Sequence, residues 1–272
     1  MQGSAQVRAG RTPAAARWLG SNWQDAADGA TIALFCFSHA GGGSAFFRPW
    51  RAALAPAVDV RPVLLPGREW RLDEVPYRRM EDLVEPLCVA LEPHVDRPYA
   101  LFGHSMGAVI AYEVARRFTG AARRAPICLL VSGRQGPRAA SSRRLLWELP
   151  DNEFVAGVGR LGGTPPEVLE HPELLEMFLP ALRADFELSE NYQPLPGHRL
   201  TCPVVAYMGT EDAEVEHSGL LRWYEETDGE FALRVFAGDH FYLRGGRPDV
   251  LSAVRQDLLR AAALQAVQPA QR

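Results

Sequence analysis

The chain contains no lysine, and all 29 of its cationic residues are arginines. A lysine nucleophile and a lysine Schiff base are therefore excluded as routes to covalent catalysis. An excess of positive charge is also absent, because 33 acidic residues leave a formal net charge of −4. This balance gives no electrostatic footprint for nucleic acid.

Cysteine is scarce as well. The four cysteines form no CxxC pair and no Cys/His spacing typical of zinc; they are Cys36, Cys88, Cys128 and Cys202. We interpret them as reduced thiols that act as small buried hydrophobic residues. Neither a metal nor an organic cofactor is expected.

Long apolar runs are missing too, and none reaches the ~20 residues that span a bilayer. Residues 1–17 are rich in Ala, Gly and Arg and lack the apolar core of a secretory signal. We therefore expect a cytoplasmic monomer that does not bind membranes, with flexible tails at 1–17 and 263–272. With 272 residues, 47% of them hydrophobic, the chain suits one large domain.

Short apolar runs alternate with segments of helical periodicity. Six runs without strict polar alternation predict strands covered on both faces, at 32–37, 58–65, 99–102, 127–131, 204–208 and 231–236. Helical spacing predicts helices over 106–118 and from Pro248 onward. The pattern predicts an α/β fold with a mainly parallel central sheet flanked by helices.

One interval is too long for an ordinary crossover, since more than ~70 residues separate the fourth and fifth strands. Within it, 151–161 and 172–186 read as amphipathic helices, and Pro180 is expected to kink the second. We predict a helical insertion at 138–196 within a core formed by 18–137 and 197–262. The insertion is either a lid over the catalytic edge or a segment that merely packs on the core. As a lid, it would offer Phe178, Leu182 and Phe186 to a substrate.

The candidate nucleophile is Ser105, in the motif Gly103-His-Ser-Met-Gly107. This Gly-x-Ser-x-Gly pattern is short enough to arise by chance, so its context decides. A predicted strand ends just before it and a predicted helix begins at Met106, as in a nucleophile elbow. The two glycines relieve crowding at such a turn, which projects the serine from the carboxyl edge of the sheet.

A serine hydroxyl needs a base and an oriented carboxylate, which follow in the order Ser, acid, His in this fold. Of the seven histidines, His240 follows the last strand directly and is the predicted base. Asp212, in the loop after the fifth strand, is the preferred acid; the rivals are Glu211, Glu214 and Asp239.

An oxyanion hole requires backbone N–H groups directed at the developing alkoxide. The N–H of Met106, directly after the nucleophile, is the first expected donor. The loop after the first strand, Ser38-His-Ala-Gly-Gly-Gly43, supplies the second; Ala40 is assigned and Gly41 is the rival. A phosphate-binding role for this glycine run is excluded because no Lys-Ser/Thr follows it.

Seven motifs in order resemble the type II thioesterases, the editing enzymes of polyketide and nonribosomal-peptide synthesis. They are FSHAGG (37–42), LPGR (65–68), GHSMG (103–107), SGR (132–134), LGGTP (161–165), LRADF (182–186) and GDHF (238–241). The resemblance runs from about 18 to 259. Two positions depart from the usual family pattern: Ser38 replaces a proline and Asp239 replaces a glycine.

The resemblance implies an α/β-hydrolase that releases aberrant or stalled acyl groups from the phosphopantetheine arm of acyl or peptidyl carrier proteins. The family's triad spacing is similar to that of Ser105, Asp212 and His240. Arg134, Arg138, Arg143 and Arg144 are candidates for docking an acidic carrier helix, with a solvated loop as the alternative.

Three other functions remain open at this point. They are a medium-chain thioesterase of fatty-acid synthesis, a small-ester esterase, and a catalytically silent binding module.

Overall fold

The computed structural model describes residues 17–19, 29–120, 124–139, 145–164, 168 and 171–267. Six parallel strands form a single sheet in the order β2-β1-β3-β4-β5-β6. The strands are β1 (Ile32–Phe37), β2 (Val58–Val63), β3 (Tyr99–His104), β4 (Leu129–Ser132), β5 (Val204–Gly209) and β6 (Phe231–Phe236). The predicted parallel sheet is confirmed, and each of the six predicted runs overlaps one of its strands.

Helices connect and cover these strands. They are α1 (Arg48–Leu54), α2 (Met80–Leu91), α3 (Met106–Gly120), α4 (Asp151–Leu161), α5 (Pro172–Glu190), α6 (His217–Leu221) and α7 (Pro248–Val267). Pro180, which we expected to kink the second insertion helix, lies inside α5, which continues as helix on both sides of it. No helix among these described residues is long and apolar enough to cross a membrane.

The core lies on both faces of the sheet, and β1 shows why. Ala33, Phe35 and Phe37 belong to one buried cluster, whereas Ile32, Leu34 and Cys36 belong to the other. Successive side chains of a strand point to opposite faces, so a strand buried on both faces is apolar throughout. This explains why the strand runs lack polar alternation.

The end of the insertion is fixed to α3 by a buried polar network. Glu113 accepts hydrogen bonds from the Tyr192 hydroxyl at 2.5 Å and from the Leu195 N–H at 3.1 Å. Arg116 pairs with Glu113 at 3.1 Å and donates to the Leu195 carbonyl at 2.7 Å. Burial raises the pKa of Glu113, against the opposing effect of these donors and of Arg116. The chain that leaves α5 is therefore attached to the helix that follows the candidate nucleophile.

Candidate active site

Ser105 occupies the turn between β3 and α3, with a φ of +55°. Its N–H donates to the Ser132 carbonyl at 2.8 Å, and its carbonyl accepts from the Ala108 N–H at 3.0 Å. A left-handed conformation is costly for a residue with a Cβ and persists only where its surroundings impose it. The structure therefore contains the predicted turn between strand and helix, with Ser105 at the carboxyl edge of the sheet.

The two glycines of the motif are required by close backbone approach. A Cβ on Gly103 would lie 2.0 Å from the Gly107 carbonyl oxygen, and one on Gly107 would lie 2.1 Å from the Phe37 carbonyl oxygen. A larger residue at 103 would push the end of β3 away from the start of α3, and one at 107 would push the elbow away from β1. The motif thus also fixes the distance between Ser105 and the loop that follows β1.

His240 and Asp212 are brought together by the adjacent loops after β6 and β5. The Nδ1 of His240 lies 3.0 Å from Oδ1 and 2.9 Å from Oδ2 of Asp212. The Asp212 side chain is fully buried, and Oδ1 also accepts the Glu214 N–H at 2.8 Å. A carboxylate at Nδ1 holds the imidazole in the tautomer whose Nε2 can accept a proton.

The three rival acids are all more exposed than Asp212, although Glu214 lines the same cavity as Ser105. Glu211 and Asp239 are exposed, and Glu214 is half-buried. The Asp239 carboxylate accepts the N–H of Phe241 at 2.8 Å, a local turn bond. The structure therefore pairs His240 with Asp212 and with none of these three.

The two candidate oxyanion donors in the loop after β1 differ in their contacts. The Gly41 N–H donates to Asp185 at 2.7 Å, so the rival donor is already engaged. Ala40 lines the same cavity as Ser105 and His240. Met106 is the first residue of α3 and is buried.

Two further histidines surround His240. The His104 ring is tilted by 38° against the His240 ring at a centroid distance of 4.9 Å, and the centroids of His39 and Phe241 also lie 4.9 Å apart. Burial lowers the pKa of His39 to about 3 and that of His104 well below its ordinary value; the nearby charge of His240 acts in the same direction. His104 Nδ1 lies 3.0 Å from the Ser132 hydroxyl. Both rings are therefore neutral neighbours of His240, a role that sequence reasoning did not assign.

A cavity of about 1090 Å³ opens onto Ser105 and His240. The insertion contributes to its wall through α4, through α5 and through the segment before α4. Of the three predicted lid contacts, only Phe186 lines this cavity. Leu182 is buried in a cluster with Phe154 and Val158, and Phe178 is half-buried away from the cavity wall.

The arginines considered for carrier docking are already engaged where they are described. Arg134 donates to the hydroxyl and carbonyl of Ser189 at 2.9 and 2.8 Å. Arg138 is half-exposed and pairs with the buried Glu226 at 2.8 Å. Arg143 and Arg144 lie outside the described residues. Across the described ranges, no group of three or more His, Cys, Asp and Glu side chains could hold a metal ion.

Known proteins are similar to this chain in both sequence and fold. The thioesterase domain family model matches residues 32–258. The gramicidin S biosynthesis protein GrsT of Aneurinibacillus migulanus is 35% identical over 84% of this chain and 90% of its own. Thioesterase PikA5 of Streptomyces venezuelae is 37% identical over 86% of this chain and 83% of its own. The type II thioesterase BorB from the borrelidin biosynthetic cluster superposes with a TM-score of 0.79 at 41% identity, covering 87% of this chain and 96% of its own.

The family match spans every strand of the sheet and the residues Ser105, Asp212 and His240. The relatives cover most of both chains, so the likeness is not confined to the elbow. The chain belongs to the thioesterase family, with the α/β-hydrolase fold, and is a thioester hydrolase.

Proposed function

We propose that the protein hydrolyses aberrant or stalled acyl groups from the phosphopantetheine arm of carrier proteins, with Ser105, His240 and Asp212 as its triad. The observation that carries the proposal is the pair of hydrogen bonds from His240 Nδ1 to the buried Asp212, on a cavity shared with Ser105. The relatives named for gramicidin S and borrelidin biosynthesis support the carrier-bound substrate.

The acylation step begins when His240 Nε2 accepts the proton of the Ser105 hydroxyl. The oxygen attacks the thioester carbonyl, and the N–H groups of Ala40 and Met106 stabilise the resulting oxyanion. The C–S bond then breaks, and His240 returns its proton to the leaving thiolate. Asp212 stabilises the imidazolium throughout but is not itself protonated.

Deacylation repeats these steps with water as the nucleophile. His240 takes a proton from water, the hydroxide adds to the acyl-enzyme carbonyl, and the same N–H groups receive the oxyanion. The C–O bond to Ser105 breaks as His240 protonates its oxygen. The products are a carboxylic acid, the free carrier thiol and the starting enzyme.

The cavity supports an acyl substrate because apolar insertion residues face it. Leu146, Val158 and Phe186 line its wall. At about 1090 Å³ it is slightly larger than the roughly 300–1,000 Å³ typical of ligand sites. It therefore has room for an acyl chain together with the end of a pantetheine arm. We place the reaction in the cytoplasm, a location compatible with four buried cysteines that form no disulfide.

The decisive experiment compares turnover of acyl-carrier thioesters, acyl-CoA and p-nitrophenyl esters, with acyl length and α-branching varied on the carrier. We expect the carrier thioesters to give the highest kcat/KM. A higher kcat/KM for the small esters would contradict the editing function. A higher kcat/KM for acyl-CoA would contradict the claim that the substrate is bound to a carrier protein.

Ser105→Ala is the control for chemistry. It should abolish both hydrolysis and labelling by a fluorophosphonate while the protein stays folded. Wild-type protein that resists the fluorophosphonate would contradict the assigned nucleophile.

A further inference from the structure

Two motifs that have no role in the triad meet beside residues 38–43, the loop after β1, which we call the oxyanion loop. Arg68, from LPGR, pairs through both terminal nitrogens with Asp185, from LRADF on α5, at 2.7 Å each. The two side chains are 7% and 3% exposed. A buried ion pair contributes little net stability, because the cost of desolvating both charges offsets their attraction. The presence of this pair therefore needs an explanation other than stability.

The carboxylate of Asp185 also reaches the loop after β1. Its Oδ2 accepts the Gly41 N–H at 2.7 Å, and Arg68 donates to the Gly42 carbonyl at 3.1 Å. The remaining donors of Arg68 reach the Pro66 carbonyl at 3.3 and 3.4 Å. All five N–H groups of the guanidinium are thereby used, and the pair holds the Ala40–Gly41 and Gly42–Gly43 peptide groups of the loop.

The packing around this pair is equally close. A Cβ on Gly41 would lie 2.6 Å from Leu182 of α5, and one on Gly67 would lie 3.0 Å from Ala181 of α5. Gly41 and Gly67 adopt φ values of +76° and +81°, which favour glycine. The oxyanion loop, the LPGR loop and the C-terminal half of α5 therefore form one junction.

We infer that Arg68 and Asp185 are positioning residues, which hold the Ala40–Gly41 peptide so that the Ala40 N–H faces the oxyanion. The Gly41 N–H follows Ala40 directly, so fixing it restricts rotation of the preceding peptide as well. The inference rests on the proposed role of Ala40. Because Asp185 lies on α5, the insertion contributes to the chemistry as well as to the cavity wall.

The test compares two variants with a matched control. Asp185→Asn keeps the shape of the side chain but leaves the buried Arg68 without its counter-ion. Arg68→Met with Asp185→Leu replaces both charges by apolar groups and so leaves no unpaired buried charge. Glu187→Gln is the control: it is two residues along the same helix and breaks the partly exposed pair with Arg78 instead of the buried pair with Arg68.

For the two test variants we expect kcat to fall about 10- to 100-fold with KM within about twofold, because misplacing a catalytic group by ~1 Å can cost about 10²-fold. Fluorophosphonate labelling of Ser105 should slow in parallel, since its phosphoryl oxygen uses the same N–H groups. Glu187→Gln should match wild type. A kcat within twofold of wild type in both folded test variants, or a raised KM with unchanged kcat, would overturn the inference.

Hydrogen exchange of the Gly41 amide in the wild-type protein gives a measurement that needs no variant. Protection well above that of an open loop amide is expected, and exchange at the rate of an unbonded amide would refute the contact. The proposed function fails separately, if Ser105→Ala retains turnover. Loss of turnover in Ser105→Ala alongside a wild-type kcat in the test variants would refute the positioning role alone.

Discussion

Replacing Asp212 by Asn removes the negative charge that faces His240 and leaves the shape of the site almost unchanged. In the structure the closest oxygen lies 2.9 Å from Nδ1, and the carboxylate is fully buried. Two unit charges at that distance attract by about 6 kcal/mol at an effective dielectric constant of about 20. In the proposed mechanism this attraction exists only while His240 carries the proton taken from Ser105, so its loss raises the barrier. At about 1.4 kcal/mol per tenfold, kcat should fall about 10⁴-fold.

The tautomer of His240 adds to this loss. One oxygen that accepts from Nδ1 becomes an NH₂ group, which favours placing the proton on Nε2 instead. The assay is single-turnover acylation by a carrier thioester, with Glu211→Gln as the matched control because Glu211 lies one residue away and is exposed. Glu211→Gln should stay within about twofold of wild type. An Asp212→Asn enzyme with more than about a tenth of wild-type kcat would refute the argument, and a large loss in Glu211→Gln would move the acid to that residue.

Three further changes test the surroundings of the site. In Gly107→Ala the added Cβ would lie 2.1 Å from the Phe37 carbonyl oxygen, so the variant should lose about 1–3 kcal/mol of stability and most of its activity. Thermal unfolding measures the loss of stability. Gly120→Ala is the control, because its Cβ would have no atom within 4 Å. Between pH 6.5 and about 3 the unfolded chain binds a proton at His39 that the folded chain does not, so stability falls as pH drops through that window. Urea unfolding should show that, between pH 7 and pH 4.5, the free energy of unfolding of His39→Gln falls by about 3 kcal/mol less than that of wild type. Equal losses in the two proteins would exclude a neutral His39. Phe186→Ala, on the cavity wall, should raise KM several-fold for long acyl chains more than for acetyl, and an equal effect on both would place the acyl chain elsewhere.

Five of the six strands were predictable because they are buried on both faces. The run 32–37, for example, has no polar residue at every second position and matches β1 at each end. The run 231–236 also matches its strand at each end, although β6 is an edge strand that is only partly buried. The helices α1 and α2 were missed. In α2, Pro86 interrupts an otherwise helical spacing of Leu83, Leu87 and Leu91. A proline inside a segment argues against a helix when only the local sequence is considered. The helix nevertheless forms, because burial of its apolar face against the rest of the protein stabilises it.

The nearness of Asp212 and His240 was predictable from topology, since the carboxyl ends of neighbouring parallel strands lie at one edge. The engagement of Gly41 was not, because its partner Asp185 is 144 residues away on the insertion. Likewise, the apolar stripe of α5 could not tell Phe186, which faces the cavity, from Leu182, which is buried against α4. Local spacing shows which residues share a face but not what that face meets.

The attachment of the insertion's last part has a consequence for recombining it with relatives. Arg116 and Glu113 of α3 hold the chain that follows α5, through Leu195 and Tyr192. A graft that exchanged all of 138–196 would therefore cut through a buried polar network and leave its acceptors unmatched. Junctions placed before the C-terminal half of α5 would transfer α4 and the cavity wall it supplies, while the recipient kept its own ion pairs. Substrate range could then be varied by exchanging a shorter cassette than the sequence boundaries suggest.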